Sequence, residues 1–222
     1  MITKLRYGNT NTFLITGDSG TLLVDTDYAG TMPAFYKAIK SIGIKVSDIT
    51  YVLATHYHPD HMGLISELME QGVQLLVMET QKDAIHDSDR IFAKDPSLGY
   101  RPIDGDQAQI LSFEDSRAFL AKLGIAGCII PLKSHSADSI AVLLDDGTFL
   151  VGDLEPLRIS KHTKTIGLCG QTGILCCGCI PGASCTHMQT RKIFPHSKSS
   201  LPCENRRQGT VPKTGDGSLS WS

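Results

Sequence analysis

The stretch THYHPDHMG, residues 55–63, places three histidines and one aspartate within six positions of a 222-residue chain that has eight histidines. His56 and His58 alternate along an extended segment, so both imidazoles can point to the same side, while Asp60 and His61 follow where the chain turns into a helix. Neutral imidazole nitrogen and carboxylate oxygen are the ligands that Zn²⁺ and neighbouring divalent metals prefer. We therefore predict a metal site at this stretch.

The residues on either side place this stretch in a loop between a strand and a helix. DITYVLAT, residues 48–55, is a short apolar run rich in β-branched residues, and such runs indicate a buried strand. In MGLISELMEQG, residues 62–72, the side chains of Leu64, Ile65 and Leu68 share one helical face. The end of a strand is a rigid position from which a protein can present metal ligands.

Strands and helices alternate through the first 156 residues, with a hairpin in each half. Turn residues 17–20 predict a hairpin over 10–27, helical spacing predicts an amphipathic helix over 31–44 with Thr31 as its cap, and residues 88–107 form a loop-rich insertion. The other predicted elements are strands at 73–78, 109–113 and 127–132, helices at 80–87 and 114–124, and a hairpin over 139–153. This mixture favours sheets packed against each other and covered by helices.

Charge divides the chain into two parts. Residues 1–156 contain 12 Lys+Arg and 21 Asp+Glu, whereas residues 157–222 contain 9 and 2, although the whole chain has a formal net charge of only -2. Since the first part is acidic, we expect a small-molecule substrate rather than a nucleic acid or an anionic membrane as its partner. The sequence gives no indication of oligomeric state.

The first residues, MITKLRYGNT, contain no basic segment followed by an apolar core, and no long apolar run occurs anywhere in the chain. Secretory signals and membrane-spanning helices require such runs. We therefore expect a soluble protein of the cytoplasm.

The stretch THYHPDHMG resembles the H-x-H-x-D-H signature of the metallo-β-lactamase fold superfamily. Three more positions match that family in order and spacing: Asp25 in LLVDTD, His135 in KSHSADS and Asp153 in FLVGDLEP. The resemblance covers residues 1–156 and implies an αββα sandwich of the α/β class. It also implies that this sandwich is incomplete at its C-terminal end.

The resemblance further implies a dinuclear metal centre, with two Zn²⁺ ions expected per chain and Mn or Fe as alternatives that the same ligands accept. One ion would be held by His56, His58 and His135, and the other by Asp60, His61 and Asp153, with Asp153 shared between them. Paired ions of this kind can share a water molecule and present it as hydroxide to a carbonyl or phosphorus centre.

Two aspartates have further implied roles. Asp60 would be catalytic as well as a ligand, because it could orient the nucleophile or pass a proton to the leaving group. Asp25 would lie outside the coordination sphere and fix the orientation of ligands by hydrogen bonds. We expect a metal-dependent hydrolase of a small ester, thioester, lactone or amide. His58 stands where the oxygen-reducing di-iron branch tends to have glutamate, which argues against that chemistry.

The superfamily usually supplies one more histidine for the second ion, after a late strand. His196 in RKIFPHSK is the better candidate for this sixth ligand, and His187 is the other. Neither follows a sustained strand pattern. A metal-binding protein with impaired or no catalysis is therefore the alternative function.

Residues 157–222 follow different compositional rules, since six of the seven cysteines lie between 169 and 203 and no helical or strand period is sustained. Three interpretations stay open: a zinc-binding knuckle, a basic partner-binding segment, or a segment out of register with an ancestral reading frame. The knuckle is the weakest, because the cysteine spacing lacks paired C-x2-C motifs. We favour the third, since the segment combines few acidic residues with an excess of Cys, Ser, Gly and basic residues.

Overall fold

The computed structural model describes residues 1–133 and 135–154, and within them two β-sheets pack face to face. In the first sheet, six strands lie side by side in chain order, antiparallel from β1 to β3 and parallel from β3 to β6. They are β1 (Ile2–Leu5), β2 (Thr12–Thr16), β3 (Thr21–Val24), β4 (Tyr51–Leu53), β5 (Gln74–Met78) and β6 (Gln109–Leu111).

The second sheet is an antiparallel meander of three strands, and the helices are short. Its strands are β7 (Gly127–Pro131), β8 (Ile140–Leu144) and β9 (Phe149–Val151). The α-helices are α1 (Met32–Ser41), α2 (Pro59–Met62), α3 (Ile65–Met69), α4 (Asp89–Phe92) and α5 (Ser116–Lys122). Short 3-10 helices cover Val46–Asp48, Glu79–Ala84, Pro96–Leu98 and Gly105–Gln107.

Two apolar clusters hold these layers together. Between the sheets, Phe13 and Leu22 of the first sheet pack with Ile140 and Val142 of the second. On the other face of the first sheet, residues such as Leu14 pack in a cluster with apolar side chains of α1 and α3. Because both faces of its central strands are covered, β3 is buried at all four positions, as expected for strands inside a layered fold. The predicted α/β sandwich is confirmed.

Most local elements follow the sequence pattern, although the helix predicted over 80–87 forms as a 3-10 helix at Glu79–Ala84. The first hairpin forms as predicted, with Phe13 paired to Val24. Thr31 occupies the position before α1, but its hydroxyl donates to the Tyr28 carbonyl at 2.7 Å instead of capping a helical N–H. The predicted 88–107 insertion is not wholly irregular, since it contains α4 and two 3-10 turns.

The helix predicted over 62–72 is replaced by two short helices that meet at Gly63. A Cβ at Gly63 would lie 2.3 Å from the Ala29 nitrogen and 2.6 Å from the Asp27 carbonyl oxygen. The backbone after β3 therefore contacts this turn directly. The helical segment begins at Pro59, earlier than predicted, and is interrupted at Gly63. The interruption is a tertiary effect that helical periodicity does not register.

Within the described ranges the longest helix is α1, with ten residues, and none has the length and apolar composition needed to cross a bilayer.

Candidate metal centre

The side chains predicted as ligands meet where the two sheets adjoin. The chain leaves β4 through His56 and reaches an extended backbone at His58, then enters α2, which carries Asp60 and His61. The loop before β8 contributes His135, and Asp153 follows β9 directly. A hydrogen bond from the Ile140 N–H to the Thr55 carbonyl, 2.9 Å long, joins the second sheet to this extended segment.

One group of three histidines forms on the outer side of the site. His56, His58 and His135 each offer a ring nitrogen, and these nitrogens lie within 4.8 Å of one another. The nearest approach is 3.0 Å, between His135 Nε2 and His58 Nδ1. Three convergent imidazoles are a ligand set typical of zinc, so this group can hold one ion.

A second group lies deeper. It combines His56, His61 and Asp153, whose ligand atoms are also within 4.8 Å of one another. His61 Nε2 is 3.6 Å from Asp153 Oδ1 and 3.6 Å from Asp60 Oδ2, so Asp60 lies at the edge of this group. Asp153 also approaches the outer group, with Oδ2 3.9 Å from His135 Nε2. His56 thus belongs to both groups, which the sequence did not indicate.

Two nitrogens in this centre are buried and have no hydrogen-bond partner among the described residues: His56 Nε2 and His61 Nε2. A buried polar atom without a partner costs about 1–3 kcal/mol. Such atoms call for an explanation by an ion or water, and an imidazole nitrogen is an acceptor for a cation. The donor set therefore fits a bound metal ion.

Asp25 organises both of these histidines. Its carboxylate is fully buried and accepts hydrogen bonds from the Thr55 N–H at 2.6 Å, the Thr55 hydroxyl at 2.9 Å and His61 Nδ1 at 3.0 Å. Since the Thr55 hydroxyl donates to Asp25, it can accept from His56 Nδ1, 3.2 Å away. This network assigns the proton of each ring to Nδ1 and leaves both Nε2 lone pairs for a ligand.

The electrostatics of the centre favour a cation. Burial lowers the pKa of His56 to about 2, which keeps that ring neutral. Burial also lowers the pKa of His61, but the Asp25 carboxylate and the neighbouring Asp153 outweigh it and raise that pKa to about 10. The His61 imidazole in turn lowers the pKa of Asp153 to about 2. The carboxylates thus stabilise positive charge at His61, and a divalent cation can supply that charge instead.

Asp60 is more exposed and is contacted from the β1–β2 loop. Its side chain is 44% exposed, and the Thr10 hydroxyl donates to its Oδ2 at 3.3 Å. The Thr10 N–H in turn donates to Oδ2 of the buried Asp27 at 3.0 Å. Sequence reasoning missed Thr10, Asp27 and Thr55 as parts of the centre, although Asp27 lies two residues after Asp25 and Thr55 begins the quoted motif.

The remaining candidate cannot be placed. His196, the predicted sixth ligand, and His187 both lie outside the described residues, as does all of 157–222.

Comparisons with known proteins agree with this geometry. The family model described as "Metallo-beta-lactamase superfamily" matches residues 5–167. The lactamase-like protein nscB of Trichophyton equinum is 28% identical over 144 residues, which are 64% of this chain and 36% of that protein. The chain therefore spans little more than a third of this curated relative.

Solved structures show the same fold. A metallo-beta-lactamase of Cronobacter sakazakii with a HARLDQ motif is similar with a TM-score of 0.51 and 21% identity, over 68% of this chain and 60% of that one. The class B3 di-zinc metallo-beta-lactamase LRA-12 from an Alaskan soil metagenome is similar with a TM-score of 0.50 and 22% identity, over 68% and 55%.

Proposed function

The chain belongs to the metallo-beta-lactamase superfamily, and from that membership we propose that it is a hydrolase with a dinuclear zinc centre, which cleaves a small ester, thioester, lactone or amide. The observation that carries the proposal is the pair of buried Nε2 atoms, on His56 and His61, that point into one cluster without a partner among the described residues. Members of this superfamily are generally hydrolases, and the cluster has the ligand chemistry that such an activity needs.

The ligands divide between two ions. His56, His58 and His135 would hold one ion, and His61 and Asp153 would hold the other together with Asp60. Mixed nitrogen and oxygen donors suit zinc, and they also accept manganese or iron. One similar structure is described as a di-zinc enzyme, which supports two ions of zinc as the proposal for this chain.

Bound ions of this type supply a water of lowered pKa and positive charge that stabilises a developing oxyanion. The protein's own contribution begins with Asp25, which holds His61 directly and His56 through Thr55, so that both rings present fixed lone pairs. Asp60 is exposed enough to meet a substrate and is oriented by Thr10. Its carboxylate can accept a proton from the attacking water and return it to the leaving group.

We propose a carbonyl substrate that approaches from solvent, because one side of the centre is exposed. The side chains of Asp60 and Asp153 are 44% and 41% exposed, and His58 is exposed beside them. A carbonyl compound can therefore reach the ligands from the solvent side. We propose that the 88–107 segment contributes to substrate choice, since loops bordering a site commonly do so.

The test combines metal analysis with a hydrolysis assay on the full-length protein. We expect two zinc ions per chain and turnover of at least one substrate in a panel of esters, thioesters, lactones and amides, with turnover lost in His58→Ala. His86→Ala is the matched control, because His86 is also exposed but pairs with Asp89 at 2.9 Å outside both ligand groups. One ion or none, without turnover across the panel, would instead favour a metal-binding protein that does not catalyse.

A further inference from the structure

Two buried side chains from distant segments hold the backbone N–H and carbonyl of Tyr57, the residue between His56 and His58. The Tyr57 N–H donates to Asp138 Oδ2 at 2.7 Å. The Tyr57 carbonyl accepts from the Ser88 hydroxyl at 2.6 Å. Asp138 is 9% exposed and Ser88 is 2% exposed, so water competes little for either bond. Together the two bonds fix the backbone positions from which the imidazoles of His56 and His58 extend.

Asp138 lies in the turn that directly follows His135. The turn is closed by a hydrogen bond from the Ser139 N–H to the Ser136 carbonyl at 3.3 Å, and Ser139 Oγ also accepts from the Ser136 N–H at 3.1 Å. Because the turn is stiffened by its own hydrogen bonds, a bond made by Asp138 also restrains the neighbouring His135.

The two restrained segments meet in the outer ligand group. His135 Nε2 lies 3.0 Å from His58 Nδ1, although the residues are 77 positions apart in the chain. Just beyond the turn, the Ile140 N–H continues the junction by donating to the Thr55 carbonyl at 2.9 Å. The Asp138 carboxylate is thus a cross-link between the two segments that supply this group.

We propose that Asp138 is a positioning residue that sets the spacing between His58 and His135, and so sets the affinity of the outer ligand group for its ion. This inference rests on the proposed metal function. Asp138 acts through the Tyr57 peptide, so the property that matters is an acceptor oxygen at the correct place. Its negative charge is not required.

Three variants of the full-length chain separate the position of the acceptor oxygen from its negative charge. Asp138→Asn keeps an acceptor oxygen in place and loses the charge, whereas Asp138→Glu keeps the charge and displaces the oxygen. Asp138→Ala removes both. Loss of a group that orients metal ligands typically weakens metal binding about 10- to 100-fold. Because Asp138 acts through one intervening peptide, we expect a loss of about tenfold for Ala and Glu, and Asn within about twofold of the wild type.

Ser116→Ala is the matched control. Ser116 is also fully buried, and its hydroxyl oxygen accepts from the Ile129 N–H at 3.1 Å, between α5 and β7. Its loss removes a buried acceptor of a backbone N–H, as Asp138→Ala does, but does so away from both ligand groups. We expect reduced thermal stability with unchanged metal affinity.

The probe is Co²⁺, titrated into each metal-free protein while its visible absorption is followed, because that absorption reports ligand geometry as well as binding. Support requires weaker Co²⁺ binding and an altered spectrum in Asp138→Ala and Asp138→Glu only. If Asp138→Ala does not fold, the Asn and Glu variants carry the same comparison.

Wild-type affinity in Asp138→Glu, or equal losses in Asn and Glu, would overturn the positioning role while leaving the proposed function intact. A wild-type chain that binds no Co²⁺ would overturn the proposed function itself and this inference with it.

Discussion

The buried side and the solvent-exposed side of the candidate metal centre differ in how firmly other side chains hold the ligands. On the buried side, His56 and His61 are at most 1% exposed, and the Asp25 and Thr55 side chains fix both rings. On the open side, Asp60 and Asp153 are more than 40% exposed. The fold thus holds the buried half of the centre in place through its own hydrogen bonds. The other half is open to solvent.

The largest effect is expected on the buried side, at the residue that the two ligand groups share. His56 belongs to both ligand groups, whereas His58 belongs to one. We expect His56→Ala to lose both ions, with affinities lowered by more than about 100-fold, since losing a ligand exceeds the usual effect of losing a supporting residue. His58→Ala should retain one ion. Metal content of the purified full-length variants measures this, and the reverse pattern would contradict the assignment of His56 to both ligand groups.

Asp25→Asn removes the organiser of the buried side. Asparagine tolerates the backbone φ of +61° that Asp25 adopts, so the change removes the negative charge and alters the hydrogen bonds without straining the backbone. In asparagine an NH2 group replaces one carboxylate oxygen. That group then faces a hydrogen-bond donor of Thr55 or His61 instead of accepting from it. We expect metal affinity to fall about 10- to 100-fold and the free energy of unfolding to fall by about 1–3 kcal/mol. Chelator competition and denaturant unfolding give the two quantities.

Asp27→Asn is the control for that prediction. Asp27 is also buried and accepts backbone hydrogen bonds from Thr10 and Tyr28, but it contacts neither histidine of the buried side. We expect it to lose stability and to keep metal affinity within a few-fold of the wild type. Equal losses of affinity in the two variants would show that Asp25 matters only for folding.

Gly152→Ala adds a methyl group next to the buried side, just after the last strand of the second sheet. An added Cβ would lie 2.3 Å from the Thr55 hydroxyl oxygen and 2.9 Å from His56 Nδ1, which is closer than van der Waals contact allows. Overpacking of this kind costs about 1–3 kcal/mol, and we expect metal affinity to fall about tenfold because His56 must move. Gly105→Ala is the control, since its Cβ would meet only Ile85 at 3.5 Å. Isothermal titration calorimetry with Zn²⁺ measures the metal affinity of both variants.

The smallest effect is expected on the open side, in Thr10→Val. This change deletes the hydroxyl that donates to Asp60 and nearly preserves the shape of the side chain. A hydrogen bond of this type contributes about 0.5–1.5 kcal/mol, so we expect kcat to fall about two- to tenfold. Metal affinity and KM should be nearly unchanged, and Thr10→Ser should restore kcat. A loss of metal affinity as large as that of Asp25→Asn would mean that the protein organises both sides equally.

Elements governed by short-range physics were predictable from the sequence. The first hairpin and α1 follow from alternation, turn residues and helical spacing, all of which act within a few positions. The split of the 62–72 helix was not predictable in this way, because its cause is the close approach of Ala29 and Asp27 to Gly63. The segment 157–222 stays a prediction, since it lies outside the described residues.

The sequence by itself determined the chemistry of the centre: imidazoles and carboxylates at the end of a strand, with His135 and Asp153 matched by resemblance. Only the tertiary structure decided that His56 is shared by both groups and that Asp25 directs two rings. The physical reason is that ligand type is a property of each residue. Burial, proton placement and distance between ligands arise only when segments far apart in the chain exclude water and hydrogen-bond to one another.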